Sequence, residues 1–180
     1  MTTVHLLPAE RHQQIVLENL WQLYIHDFSD FVTGFEQVDV DERGLFPLEF
    51  DFRHYWEQPG FWPYLGWVGG RIAGFVLVSD RTHFRKGPGR YVDEFFVLRR
   101  YRRRGIGRSL AFQTFDTYRG YWEVAEIPGN LPAQAFWRAV IGEYTEGRYE
   151  EIVTPEGEVW QTFDSSRWTS SPAPPKRNRA

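Results

Sequence analysis

An α/β fold built on a mixed, mostly antiparallel sheet is predicted by three features of this chain. Two strand-like runs, Phe61 to Val68 and Arg71 to Ser79, flank Gly69-Gly70, and two glycines supply the positive φ angles of a two-residue hairpin turn. Two strand-to-helix passages follow, from residues 90–98 into a helix ending near Tyr118, and from 121–126 into 131–141. A closing hairpin, residues 148–153 and 158–163, surrounds Pro155-Glu156-Gly157.

The remaining elements follow from periodicity and breakers. Residues 8–25 read as the first helix, because Ile15, Leu17, Leu20, Trp21, Tyr24 and Ile25 recur at helical spacing. Residues 32–50 are irregular and acidic (Glu36, Asp39, Asp41, Glu42, Glu49), an exposed connection with a short helix at most. Residues 51–58 add a helical turn that Pro59-Gly60 ends. Residues 81–89 form a loop containing Gly87-Pro88-Gly89. No internal repeat is visible.

At 180 residues the chain is read as one domain, residues 1–164, with a Ser-, Pro- and Arg-rich tail over 165–180 expected to be disordered. Its 8 Trp, 9 Tyr and 15 Phe are spread along the chain, which makes most of them core residues. There is no cysteine, so disulfides, thiol nucleophiles and zinc–thiolate sites are excluded, and no metal site is expected. A formal net charge of −3 argues for neither a membrane surface nor a dedicated nucleic-acid partner. No early apolar run has the form of a signal peptide or membrane span, which points to the cytoplasm.

The most informative segment is residues 95–110, Phe-Phe-Val-Leu-Arg-Arg-Tyr-Arg-Arg-Arg-Gly-Ile-Gly-Arg-Ser-Leu. A strand ends in a basic, glycine-containing turn that opens into a helix. The start of a helix offers unpaired amides and a partial positive charge, and glycine there lets a bulky anion approach the backbone. A P-loop is excluded because no Lys follows Gly107. A dinucleotide fingerprint is excluded because Leu110 stands where the third glycine belongs. The alternative for the five arginines between Arg99 and Arg104 is a solvated basic turn or a nucleic-acid patch. The basic run is not repeated elsewhere, which argues against nucleic acid as a partner.

Arg102-x-x-Gly105-x-Gly107 after a strand resembles the acyl-CoA signature of the GNAT superfamily, the GCN5-related N-acetyltransferases. A second likeness lies downstream, where Asn130, Ala133 and Trp137 match the family's spacing of Asn, Ala and an aromatic on the next strand-to-helix junction. The phrase Phe136-Trp137-Arg138-Ala139-Val140-Ile141 is also similar to a bacterial branch of predicted acetyltransferases. The resemblance implies a single-domain sheet of six to seven strands flanked by helices, with a splay between the fourth and fifth strands. It implies acetyl-CoA as cosubstrate and transfer of an acetyl group to a small-molecule amine or lysine side chain by direct attack. A homodimer is a further implication of the family.

The resemblance distributes roles as follows. The pyrophosphate belongs on the backbone amides of Arg103, Arg104, Gly105, Ile106, Gly107 and Arg108, helped by the side chains of Arg102 and Arg104. The pantetheine arm belongs along Phe95, Phe96 and Val97, where a backbone N–H near Val97 can also stabilise an oxyanion. The same three side chains are equally core residues. Asn130 either bonds the cofactor or caps the helix that follows. Glu94 is the first choice of base, in an apolar strand just before that edge, with Asp93 expected on the opposite face. Its competing role is an ion pair with an arginine. Asp27 is the second choice of base, and His26 is a surface or packing residue. Trp137 stands where many family members place a tyrosine acid, and an indole N–H is no useful acid. The general-acid step is therefore absent, water-mediated, or supplied by another tyrosine such as Tyr144. The acidic stretch 36–42 with Tyr24, Trp56 and Trp62 suggests a cage for a cationic acceptor, although loop acids and core tryptophans explain the same residues. A non-catalytic acyl-CoA-binding or regulatory protein on the same fold is the alternative function.

Overall fold

A computed structural model describes residues 3–31, 39–46 and 50–167. Seven strands form one sheet in the order β1-β2-β3-β4-β5-β7-β6. They are β1 (Val4–Pro8), β2 (Phe61–Val68), β3 (Arg71–Ser79), β4 (Arg90–Val97), β5 (Tyr121–Glu126), β6 (Glu150–Val153) and β7 (Val159–Asp164). All neighbouring pairs are antiparallel except β4–β5. Helices α1 (Gln14–Phe28) and α2 (His54–Glu57) pack on one face, and α3 (Ile106–Asp116) and α4 (Leu131–Tyr144) on the other.

The central hairpin has the residues the sequence assigns to it, and Gly69 and Gly70 take φ values of 56° and 76°. Strand β1 is not anticipated by the sequence. Its five residues place polar His5 between apolar neighbours and end in a proline, so they carry little local strand signal. Pro8, expected to begin the first helix, instead ends an edge strand, where a missing N–H is tolerated. The helix starts after a 3-10 turn (Arg11–Gln13), and its buried stripe is Leu17, Leu20 and Trp21, continued by half-buried Tyr24. Ile15, part of the expected stripe, is 57% exposed.

Each face of the sheet has its own core. On the α1 and α2 side, Leu17, Leu20, Trp21, Phe52, Tyr55, Leu65, Phe75, Leu77 and Phe96 pack together. On the α3 and α4 side, Phe115 and Trp122 lead a cluster that includes Val76, Val92, Val124, Trp137, Ile141 and Phe163. The described residues continue past Asp164, where the tail is expected to begin. Residues Ser165–Arg167 make a 3-10 turn, and buried Ser165 donates to the Tyr118 carbonyl at 2.8 Å. The rest of the expected tail lies outside the described residues, as does Glu36 of the acidic stretch. Of the acids that are described, Asp41 pairs with its neighbour Arg43 at 2.8 Å.

The sheet opens at its centre. Strands β4 and β5 pair only at Arg90–Trp122, Tyr91–Glu123 and Val92–Val124. Beyond Val92 the two diverge, with β5 continuing on β7 to Glu126 and β4 continuing on β3 to Val97. A bulge marks the divergence. Leu77 pairs with Glu94 while Val78 pairs with Val92, so Asp93 is an extra residue in β4.

Under α4, the Gln161 Nε2 group donates to Glu126 Oε2 at 3.2 Å, while Glu126 Oε1 and Gln161 Oε1 are both buried without a partner. A neutral carboxyl has a proton to offer where a carboxylate has none. Burial pushes Glu126 up to about 8, against the pull of Gln161 and Arg138, and Glu151 adds to the rise. An acid whose folded value lies above its unfolded value stabilises the fold below the unfolded value and loses that contribution as pH rises through the folded one. Stability should therefore fall between about pH 4.5 and about 8. Urea unfolding of Glu126→Gln should show a shallower decline over that window than the unmodified chain, by up to about 1.4 kcal/mol per pH unit. Parallel profiles would refute a neutral Glu126.

Candidate functional site

The divergence leaves one edge of β4 open. Leu98 donates its N–H to Ala73 on β3 at 2.8 Å. Backbone groups alternate sides along an antiparallel strand, so Phe96 also faces β3, while Phe95 and Val97 face the gap towards β5. Their side chains are core residues. Phe95 packs edge-on to Trp137 at 4.9 Å, Phe96 lies 5.8 Å from Tyr24, and Val97 packs with Ile106 and Leu110. Main chain and side chain thus have separate tasks at these positions.

The open edge runs into the start of α3. Ser109 is the first residue of that helix to donate to a carbonyl one turn back, that of Gly105 at 3.0 Å, so the amides of Ile106, Gly107 and Arg108 have no partner within the helix. Gly105 has a φ of 74°, and nothing lies within 4 Å of where its Cβ would stand. At Gly107 a Cβ would meet Phe136 at 3.3 Å, so this glycine also serves close packing of α3 on α4. Arg103 adopts a φ of 58° without being glycine. The turn therefore presents consecutive left-handed and helical amides to a bare surface, a cradle suited to an anion.

The arginines divide into three groups. Arg99 donates to Asp27 Oδ1 at 2.9 Å, and Arg102 also pairs with Asp27 while its Nε donates to the Val97 carbonyl at 2.6 Å. Arg108 pairs with Glu143 and joins α3 to α4. Arg100, Arg103 and Arg104 are exposed. Arg102, expected to help the pyrophosphate with its side chain, is folded back onto α1. Asp27 is held by both guanidinium groups, whose bonds and charge outweigh the effect of burial and keep its carboxyl below the usual range. That makes it a poor base and an effective clamp. His26 is exposed, as expected.

Glu94 lies on the α1 and α2 side, where Tyr24 donates its hydroxyl to Oε2 at 2.5 Å. Burial pushes Glu94 up to about 7 against that hydrogen bond, and the charge of Asp93 pushes further. Strand alternation predicts Asp93 on the opposite face. The bulge turns it to the same one, where it accepts from Ser79 Oγ at 2.7 Å and Tyr55 Oη at 2.9 Å. Burial raises Asp93 to about 6, opposed by those two donors and by the charges of His54 and Arg81. Neither carboxylate forms an ion pair within 4 Å among the described residues, so the expected alternative of an arginine partner for Glu94 is not realised.

The remaining candidates sit on the α4 side. Asn130 caps α4, accepting from the Ala133 N–H at 3.1 Å. Trp137 is buried between Phe95, Phe115 and Phe136. Tyr144 donates to Asp116 at 2.9 Å and is raised by burial and by that acid. It lies two helical turns beyond Trp137, towards the end of α4 away from Asn130. The cage expected from Tyr24, Trp56 and Trp62 does not form. Tyr24 and Trp56 pack with the α1 and α2 core, whereas Trp62 packs with the other core, under the guanidinium of Arg90. A shallow depression lined by Tyr121, Tyr149 and Asp164 lies at the opposite end of β5 from the splay.

A parallel strand pair that parts at mid-sheet, with an exposed strand edge leading into a helix start of free amides, is the arrangement that the fold and the site define. The model of the acetyltransferase (GNAT) family matches residues 17–142, and the chain belongs to that family. Solved structures share the fold at low identity. An acetyltransferase from Thermus thermophilus superposes with a TM-score of 0.63 at 15% identity, covering 90% of this chain and 97% of its own. Arabidopsis thaliana NAA60 in complex with a bisubstrate analogue gives 0.55 at 14%, covering 90% and 98%. The aminoglycoside acetyltransferase AAC(6')-Ib in complex with coenzyme A gives 0.58 at 16%, covering 90% and 95%. No curated protein matches the chain in sequence.

Replacing Asp27 by Asn should release Arg99 and Arg102 together and loosen the turn before α3. The expected result is a loss of roughly 1–2 kcal/mol in urea unfolding and several-fold weaker coenzyme A binding by calorimetry. Unchanged values in both would show that the clamp has no role.

Proposed function

We propose that this chain is an N-acetyltransferase that moves an acetyl group from acetyl-CoA to an amine by direct attack. The observation that carries the reading is the continuity of the β4 edge that β5 leaves open, where Arg102 covers the Val97 carbonyl, with the free amides of Ile106, Gly107 and Arg108. The residues present fit the cosubstrate. The diphosphate belongs at the first turn of α3, where Gly105 leaves open space and Arg103 and Arg104 are exposed to add charge. The amide-bearing pantetheine arm belongs along Phe95 and Val97, pairing as an added strand would. Asn130 and Trp137 line the β5–α4 side. Acetyl-CoA supplies the acetyl group already activated as a thioester.

The work of the protein's own residues is proton handling and orientation. A free alkylamine holds its proton until about pH 10.4, so a base must accept it before attack. Glu94 is suited to that task because its burial sets its affinity for a proton near neutrality, and Tyr24 fixes its orientation. The N–H of Val97 faces the gap and is placed to donate to the acyl oxygen. A thiolate leaves without strong acid assistance, since a thiol titrates near 8.5. The absence of a hydroxyl at Trp137 is therefore compatible with turnover. Tyr144 is committed to Asp116, which removes it from first place as the acid. The same two residues favour a second reading, an acyl-CoA-binding protein without turnover. CoA release with a panel of amines separates the two.

Two tests address the halves of the site. Gly105→Asp keeps a residue type that tolerates a positive φ but sets a carboxylate in the cradle, and calorimetry should register no coenzyme A binding by the folded variant. Retained affinity would move the diphosphate elsewhere. Turnover should rise with pH through about 7 as Glu94 loses its proton. Glu94→Gln should lower kcat by about 10²–10⁴ and flatten that limb of the profile, and a preserved limb would exclude Glu94 as the base.

A further inference from the structure

The bulge that opens the sheet also brings two carboxylates to one face. In a regular strand Asp93 and Glu94 would point to opposite faces. Here the extra residue turns both towards α1 and α2, where Asp93 is held by Ser79 and Tyr55 and Glu94 by Tyr24. Each carboxylate keeps acceptor capacity, because a carboxylate has about four lone-pair sites and these bonds use only one or two. The groups facing the pair are known from each packed element. Tyr24 comes from α1, His54 and Tyr55 from α2, Ser79 from β3, Arg81 from the loop after it, and Tyr91 from β4 itself. His54 and Arg81 stay beyond 4 Å of both carboxylates, so neither forms an ion pair with them among the described residues. Tyr91 stacks on Trp160 at 5.5 Å and 21°, with His83 4.7 Å from the same indole. Tyr91 couples to both carboxylates, and Tyr and Trp are ring types that attract cations.

We propose that Asp93 is a specificity-determining residue of the acceptor side: its carboxylate, set beside Glu94 by the bulge, selects amines that carry a second cationic group over those that carry none or an anionic one. The proposal rests on the transfer reading above, in which Glu94 receives the proton of the reacting nitrogen. Asp93 does not take part in the transfer. Its fixed charge meets the second cation of a diamine, and it repels an acceptor whose far end is a carboxylate. Held near 6, Asp93 is charged wherever Glu94 is free to act as a base.

The test compares kcat/KM, measured as CoA release from acetyl-CoA, for 1,4-diaminobutane, butylamine and 4-aminobutyrate. The three share a four-carbon chain and differ in the charge of the far end. At pH 8 the diamine should exceed the monoamine by about tenfold, and the amino acid should be slowest. The ratio of diamine to monoamine removes the contribution of Glu94, which serves both equally. That ratio should decline towards one as pH falls through about 6. In Asp93→Asn it should already be near one at pH 8. Equal rates in the unmodified chain, a ratio indifferent to pH, or a preference kept by Asp93→Asn would each overturn the proposal. If the variant does not fold, the pH dependence of the unmodified chain decides alone. Binding of acetyl-CoA with no release by any amine would sink the transfer reading, and this proposal with it. Release with all three at equal rates would sink this proposal only.

Discussion

The parting of β4 from β5 after Val92 is the constraint from which the rest of the site follows. A parallel pair that stayed together would satisfy the backbone of β4 from end to end and leave nothing to recruit. Ending the pairing after three residues frees N–H and C=O groups in the middle of a sheet, where a polar group without a partner is costly. The fold tolerates the gap because each half is secured on its other side, β4 by β3 and β5 by β7. It also covers both faces with aromatic cores, so the two halves do not need each other for burial. The bulge at Asp93 is the local means of the divergence, and it sets Asp93 and Glu94 on one face, towards α1 and α2.

Helix α1 ties the two ends of this gap together. Tyr24 reaches Glu94, and Asp27, three residues on and on the same face, reaches Arg99 and Arg102. Arg102 in turn occupies the carbonyl of Val97. One turn of one helix therefore orients the candidate base and braces the loop that leads into the anion cradle. A shift of α1 would be felt at both places at once, which gives the packing of Leu17, Leu20 and Trp21 beneath it a consequence beyond stability.

What can be read from the residues is whatever is encoded locally. The glycine pair at 69–70, the strand-to-helix turn at 98–109 and the cap at Asn130 each depend on a few adjacent side chains, and each takes the expected form. The features that escape are those that depend on distant neighbours. Strand β1 exists because β2 offers it an edge, not because its own residues alternate. The bulge is a mismatch between two strands and leaves no mark on either one, so simple alternation assigns Asp93 to the wrong face. The partner of Arg99 and Arg102 lies more than seventy residues away, at the end of α1. Residue type groups Trp62 with Tyr24, yet the alternation of β2 sends it through the sheet to the other core.

On the proposed reading, a tryptophan at position 137 rather than a hydroxyl-bearing residue shifts the chemical burden towards the amine. Trp137 is buried against Phe95 and Phe115, so the α4 side of the gap presents aromatic surface there. The buried polar groups beside the gap lie on the opposite face, in Glu94, Asp93 and the tyrosines that hold them, and the proposed transfer draws on them. Such a division is chemically consistent. Attack by an amine depends first on removing its proton, whereas departure of a thiolate depends little on receiving one. On the proposed reading, a site that concentrates its titratable groups beside Glu94 and packs aromatics around Trp137 assists the step that needs help and leaves the other to the leaving group.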